Sequence, residues 1–223
     1  MSPAVEVENL ELAPGAETIL SGVSFAVGAG EAVVVRGASG SGKSSLLLAL
    51  VGALRPRRGH IRIAGMPLDA DHAAAIRRRV FYMPQELRAF ERETGRDFIQ
   101  RALDLAVNRG RRRTPGCTAE LCAALSLDEA LLDAPLASLS GGERQRLGLL
   151  RGLLLEREIL LLDEVTSAVD ERNRDAIVDL LLGLANTSVL AVTHDPRFAE
   201  RADRVLAIEA GRLVEAPAGA GEG

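Results

Sequence analysis

Three short segments, taken in order, constrain this chain more than any other feature. The first, Gly37-Ala38-Ser39-Gly40-Ser41-Gly42-Lys43-Ser44, follows the apolar run Val33-Val34-Val35 and leads into a leucine-rich stretch. Glycines let such a loop wrap phosphates with its backbone N–H groups turned inward, and the next helix adds its positive N-terminal end. The last, Ile159-Leu160-Leu161-Leu162-Asp163-Glu164, is an apolar strand ending in two acids. Between them stands Leu139-Ser140-Gly141-Gly142-Glu143-Arg144-Gln145-Arg146, a second surface of backbone donors opening a helix, with Glu143 in its first turn. The first alone marks a broad class of nucleotide-binding proteins, while the second and third alone read more often as a capped helix and a strand end. In this order they read as parts of one nucleotide site.

Length and composition fit that reading. At 223 residues, 47% of them apolar, the chain suits a single α/β domain with room for an inserted lobe. No stretch approaches the roughly 18 uncharged apolar residues of a membrane span. The N-terminus lacks the basic region and apolar core of a signal peptide, so the expected location is cytoplasmic. A formal net charge of −4 gives no general reason to expect nucleic acid as a partner. Cys117 and Cys122 are too few for a disulfide framework and read as reduced structural thiols.

Along the chain, residues 5–9 and 19–27 read as strands around a turn at Pro14-Gly15, and 31–36 as a buried parallel strand feeding the phosphate loop. A helix over 44–54 follows, then short strands at 61–63 and 80–83. From 86 to 156 the pattern turns helical, with Ile99, Leu103 and Val107 at helical spacing and Leu121, Leu125 and Leu127 marking another segment. Strands return at 159–162, 189–192 and 205–208, with a helix over 171–184 between the first two. The expected fold is α/β: an open sheet forming a core at about 1–85 and 157–216, interrupted by a helical lobe at about 86–156. Residues 217–223 read as a loose tail.

The phosphate loop assigns chemistry directly. Lys43 is placed to reach the β- and γ-phosphates, and the Ser44 hydroxyl to ligate Mg²⁺. Asp163, at a buried strand end, suits a carboxylate turned toward hydrated Mg²⁺. Glu164, one residue on, points elsewhere.

The order of phosphate loop, Leu-Ser-Gly-Gly-Glu and strand-borne acids resembles the ATP-binding cassette (ABC) ATPases, over nearly the whole chain. The resemblance implies a P-loop NTPase (RecA-like) core, an inserted α-helical subdomain and an N-terminal antiparallel β region. It implies ATP and Mg²⁺ as cofactors, with Gly37, Ala38, Ser39, Gly40, Ser41, Gly42, Lys43, Ser44 and Ser45 around the nucleotide. Glu164 then polarises the attacking water as a general base. Gln85, after Val80-Phe81-Tyr82-Met83-Pro84, senses Mg²⁺ and water; His194, in Val192-Thr193-His194-Asp195, senses the γ-phosphate. Ser140, Gly141, Gly142 and Glu143 close over the nucleotide of an opposite subunit, and Asp170, in Ser167-Ala168-Val169-Asp170, communicates between the sites. The implied assembly is an ATP-dependent head-to-tail homodimer on an integral membrane permease, peripheral to the inner face of the membrane.

Two departures stand out. Many relatives stack an aromatic ring on adenine; here Asn9-Leu10-Glu11-Leu12-Ala13-Pro14 has none, and Leu12 or Ala13 offers only apolar contact. Val165 stands where proline usually follows the catalytic acid. Around it, Leu161-Leu162-Asp163-Glu164-Val165-Thr166-Ser167-Ala168-Val169-Asp170-Glu171-Arg172-Asn173 resembles the ATP-binding subunits of a small bacterial iron-export group. Phe90 and Phe98 read either as a docking groove for the permease or as core. Arg109-Gly110-Arg111-Arg112-Arg113 reads as a solvated loop, or as a contact with a membrane partner or acidic lipid. His60 and His72 read as structural.

The expected function is therefore an ATPase subunit powering a separate permease, with metal-ion (iron) export as the finer reading. The alternative is a soluble, non-transport ABC ATPase acting on ribosomes or DNA. A single phosphate loop and the lack of sustained heptads argue against that alternative.

Overall fold

A computed structural model describes residues 2–15, 17–87, 93–108 and 117–216. Phe90, the basic run at 109–113 and the tail at 217–223 lie outside the described residues.

The chain opens with β1 (Val5–Leu12) and β2 (Leu20–Val27), paired antiparallel. Next, β3 (Ala32–Arg36) enters a second sheet, while β4 (Arg58–Ile63) and β5 (Met66–Pro67) complete the first in the order β2-β1-β4-β5. Alternation sets the faces of this smaller sheet. Val5, Val7, Ile61 and Ile63 are buried, and Glu6, Glu8 and Glu11 stand directly across from Arg62, His60 and Arg58. The opposite charges of Glu6 with Arg62 and of Glu11 with Arg58 favour that register by roughly 0.2–1 kcal/mol per pair.

The larger sheet adds β6 (Val80–Met83), β7 (Ile159–Asp163), β8 (Ser188–Val192), β9 (Arg204–Glu209) and β10 (Arg212–Ala216), in the order β10-β9-β3-β8-β7-β6. Neighbours from β9 to β6 pair parallel. β10 folds back on β9 through Ala210 and Gly211, both at positive φ (46° and 75°), as a type I′ turn requires. Helices α1 (Lys43–Leu50) and α2 (Ala73–Arg77) come before β6. Then α3 (Gly95–Asp104), α4 (Cys117–Ala124) and α5 (Gly141–Leu154) fill the stretch between β6 and β7. After β7 and β8 come α6 (Glu171–Leu182) and α7 (Pro196–Arg201).

Parallel strands are covered on both faces, which is why their sequences are continuous apolar runs. Val33, Val35, Leu161, Leu190 and Val192 join one core cluster, shared with the smaller sheet and α1. Val34, Leu160, Leu162, Val189 and Ala191 join the other, shared with α3 to α7.

Several boundaries differ from the sequence reading for local reasons. The helix expected to reach 54 stops at Leu50. There Ala53 N–H bonds Leu48 O (2.9 Å) and Gly52 N–H bonds Ala49 O (3.0 Å), with Gly52 at φ +74°, a Schellman cap. Leu105 turns extended and ends α3, so Val107 belongs to a separate 3-10 turn, Ala106–Asn108. Leu125 and Leu127 lie beyond α4, around Ser126 at φ 50°, yet both are buried.

Phe98 is core, at 2% exposure, so its docking-groove reading is corrected. The Arg151 guanidinium of α5 stacks 4.0 Å from the Phe98 ring centre and lies 5.9 Å from that of Phe81 on β6. Burial lowers the Arg151 pKa to about 10. Beside it, nearly buried Glu93 pairs with Arg101 at 2.6 Å. Rings and cation thus join α3, α5 and the sheet edge into one packed junction.

The Phe81 ring also occupies the space that a side chain at Gly152 would need. Gly152→Val is expected to cost about 1–3 kcal/mol through overpacking, read as a lower Tm. Phe81→Leu on the same chain should recover part of that loss. Wild-type stability for Gly152→Val would show that the ring yields freely.

Candidate functional site

The parallel register brings the carboxyl ends of β3, β6, β7 and β8 together, where open α/β sheets hold ligands. Four loops start there and border a cavity of about 580 Å³. Ser39, Gly40, Gly42, Lys43, Ser44, Ser45, Gln85, Asp163, Glu164 and His194 all line it. The remaining loop residues form its scaffold. The Gly37 and Ala38 carbonyls accept hydrogen bonds from Lys43 Nζ at 2.6 and 2.9 Å. Ser41 Oγ is buried behind them. Gly42 holds φ +102° at the N-cap of α1, and a Cβ there would come within 2.6 Å of Ile19 Cγ2.

Asp163 ends β7 at 3% exposure, and its Oδ1 has no hydrogen-bond partner. Burial pushes its carboxyl above the usual range, against the opposing pull of a Ser44 hydrogen bond and the Lys43 charge. A hard cation fits here, because this orphaned oxygen, the Ser44 hydroxyl and the Gln85 side chain border one cavity. Among the described residues, no group of three or more His, Cys, Asp or Glu is placed to hold a metal. A cation at Asp163 would thus draw most of its ligands from phosphate and water, the habit of Mg²⁺.

Glu164 occupies a left-handed backbone conformation, φ +52°, a strain of order 1–3 kcal/mol for a residue with a side chain. Its N–H bonds Val192 O at 2.9 Å. Its carbonyl accepts from Ser167 N (3.2 Å), Ser167 Oγ (2.9 Å) and Gln145 Nε2 (3.1 Å). His194 Nε2 lies 3.4 Å from Glu164 Oε1. Burial raises the Glu164 pKa, while the His194 and Lys43 charges pull it down. A half-buried carboxylate thus faces the cavity beside an imidazole and an ammonium, the setting of a general base.

Ser140, Gly141, Gly142 and Glu143 do not line this cavity, and neither does Asp170. Ser140 caps α5 reciprocally: Glu143 N–H donates to its Oγ at 3.3 Å, and Glu143 Oε2 accepts from Ser140 N–H at 2.7 Å. Ser140 and Gly141 are exposed. Asp170 caps α6, accepting from Asn173 N at 3.2 Å and Asn173 Nδ2 at 2.6 Å. His72 pairs with Asp69 at 2.7 Å, away from the cavity.

Other residues of the site escaped the sequence reading. Leu12, considered for the base, is fully buried; Ile19 lines the cavity instead, beside Gly42. Gln145 is buried against the loop after β7, and its signal was periodicity, since Gly148, Leu149 and Gly152 share its helix face. Arg174 and Asp195 also line the cavity, 3.7 Å apart, linking the first turns of α6 and α7. Arg197 bonds Glu171 (2.6 Å) and Asp175, and Arg201 bonds Asp179, so these two helices are stapled along their length.

The family profile described as ABC transporter matches residues 20–167. The chain belongs to the ABC transporter family. A Fe(3+) ions import ATP-binding protein of Rhodococcus jostii (strain RHA1) is 38% identical over 96% of this chain. The chain spans only 62% of that relative's length. The Escherichia coli (strain K12) protein named "Probable iron export ATP-binding protein" is 31% identical over 96% of both chains. A lipoprotein-releasing system ATP-binding protein of Anaeromyxobacter dehalogenans (strain 2CP-C) is 35% identical, covering 96% of this chain and 93% of its own. A solved dimeric ATP-binding cassette in a post-hydrolysis state, bound to ADP and Pi, superposes with a TM-score of 0.84 at 26% identity. That match covers 95% of this chain and 97% of the solved one. The described residues of this ABC chain thus have the cassette fold.

Among the described residues the cavity of this ABC chain carries an aliphatic Ile19 and no aromatic ring. Nucleotide affinity should rest on phosphate contacts, which ATP and GTP share. GTP is expected to compete with ATP within about tenfold, the effect of losing a contact worth about 1.4 kcal/mol. Competition binding checks this, and a preference for ATP far beyond tenfold would mean that another group reads the base.

Proposed function

We propose that this chain binds and hydrolyses ATP as the nucleotide-binding subunit of an ABC transporter, driving a separate integral membrane permease. The observation that carries this reading is Glu164 beside His194 in the cavity that holds Lys43, Ser44 and Asp163. The chain works at the inner face of the membrane through its partner; among the described residues no helix is long and apolar enough to cross a membrane.

Phosphates of ATP enter over the loop at 37–44, where Lys43 Nζ exchanges its loop carbonyls for β- and γ-phosphate oxygens. Asp163 and Ser44, with Gln85 alongside, would hold Mg²⁺, which when bound neutralises phosphate charge. Glu164 accepts a proton from water as its oxygen attacks the γ-phosphorus; the bond to the bridging oxygen breaks, leaving ADP and phosphate. His194 holds the Glu164 carboxylate and faces the γ-phosphate side. Exposed Ser140 and Gly141, with half-buried Gly142, lie outside the chain's own cavity and complete the site of a second copy. This gives a head-to-tail dimer that ATP closes and hydrolysis reopens, with Asp170 at the seam. The solved dimeric relative supports that assembly.

The core, about 1–85 and 157–216, carries the chemistry, and the lobe at about 86–156 passes the motion to the permease. Iron export is the finer reading, supported by the Escherichia coli relative matched over 96% of both chains. Co-purification of the permease and metal accumulation in cells lacking the chain test it. Unchanged metal content would remove iron as cargo.

Glu164→Gln should keep ATP binding while steady-state hydrolysis nearly vanishes, and should accumulate an ATP-bound dimer on a sizing column. Turnover near wild type would take the base role from Glu164. Lys43→Ala should fail earlier, at nucleotide binding.

Mixing Ser140→Arg chains with Lys43→Ala chains leaves one intact composite site per mixed dimer. ATP-dependent closure should appear in the mixture and in neither mutant alone. No recovery on mixing would mean that both motifs serve the same chain's nucleotide.

A further inference from the structure

Gln145 has no part in the steps above, yet its side chain bonds the loop after β7 at three atoms. It sits on α5, one turn beyond the Ser140 cap, at 6% exposure. Its Nε2 donates to Glu164 O at 3.1 Å and to Ser167 Oγ at 3.2 Å, and its Oε1 accepts from Ala168 N–H at 3.2 Å. A buried amide with both ends bonded to one loop fixes that loop relative to its own helix.

What it fixes is the strained residue. Glu164 stands at φ +52° and is held from both sides, its N–H on Val192 O of β8 and its carbonyl under Gln145 and Ser167. Backbone conformations of this kind persist only when their surroundings over-determine them. The first turn of α5 presses on the same loop, since a Cβ on Gly142 would come within 2.6 Å of Ala168 O. The surface formed by Ser140, Gly141 and Gly142 and the backbone of Glu164 are therefore one mechanical unit, with Gln145 as its joint.

We propose that Gln145 is a positioning residue for hydrolysis. It aims the Glu164 carboxylate and makes that aim depend on where the N-terminus of α5 sits. This rests on the proposed roles of Glu164 and of the Ser140 surface. It adds a route by which seating α5 against a partner's nucleotide sets the geometry of the chain's own base. A carboxylate misplaced by a fraction of an ångström binds nucleotide as before but activates water poorly.

The test uses the whole chain with Mg-ATP. Gln145→Met keeps the volume and removes every hydrogen bond; Gln145→Glu keeps the acceptor for Ala168 N–H and removes the donor to Glu164 O. Both are expected to lower kcat at least tenfold while KM for ATP changes less than threefold. In the Glu164→Gln background, Gln145→Met should add no further loss of single-turnover rate, because its effect passes through Glu164. Nucleotide-driven dimerisation should persist in that double variant.

A purely structural role would lower Tm and leave kcat per folded molecule within twofold of wild type, and that result overturns the proposal. A rise in KM at constant kcat overturns it as well. If Gln145→Met does not fold, the isosteric Gln145→Glu decides by the same kcat and KM criteria. Should Glu164→Gln itself turn over like wild type, the reading of the site fails; should it be inactive while both Gln145 variants keep kcat, this inference alone fails.

Discussion

Everything in this molecule depends on the parallel pairing of β3, β8, β7 and β6. Parallel strands align their carboxyl ends, so loops separated by long stretches of sequence open at one edge. Lys43 follows β3, Gln85 follows β6, Glu164 follows β7 and His194 follows β8. No pair of these residues is close in the chain. The register holds because each strand sets side chains into both cores, so a slip of one residue would misfit two cores at once.

At the edge of that apolar frame stand groups that oppose folding. Asp163 is a carboxylate at 3% exposure with an orphaned oxygen, and Glu164 combines partial burial with a left-handed backbone. Burial raises both pKa values, a sign that the charged forms are held at an energetic disadvantage in the free protein. Lys43, Ser44 and His194 offset part of this. Phosphate and a cation would supply the rest, which is why so unfavourable an arrangement belongs at a binding site and nowhere else in the sheet.

The frame was legible in the sequence because its physics is local. Val33-Val34-Val35 and Ile159-Leu160-Leu161-Leu162 can be stable only where both faces are covered, and β3 and β7 are covered so. The residues of the cavity were legible because glycines, strand ends and acids announce themselves. What stayed hidden depends on tertiary neighbours. The end of α1 needed Gly52 to be recognised as a Schellman cap, and the last part of α3 was lost to one extended residue, Leu105. Ile19 looked like the first residue of a strand, and only folding places it beside Gly42. Phe98 read from the sequence as either a docking groove or core, and Arg151 stacking on its ring closes it into the core.

Gln145 and Arg151 share one helix, and the pairing shows how the two halves of the chain are joined. Near its start, α5 bonds the loop after β7 through Gln145; a turn and a half later it stacks Arg151 between Phe98 and Phe81. Gly148 and Gly152, on the same face, let the helix lie against Leu87, Met83 and Phe81 with no side chain between. These contacts fix α5 against the sheet at several points along one face. Its N-terminus carries the exposed Ser140, its second turn meets the loop after β7, and its flank meets α3. α5 thus packs against the loop after β7, the sheet edge and α3 together, and that shared packing joins the inserted helices to the sheet.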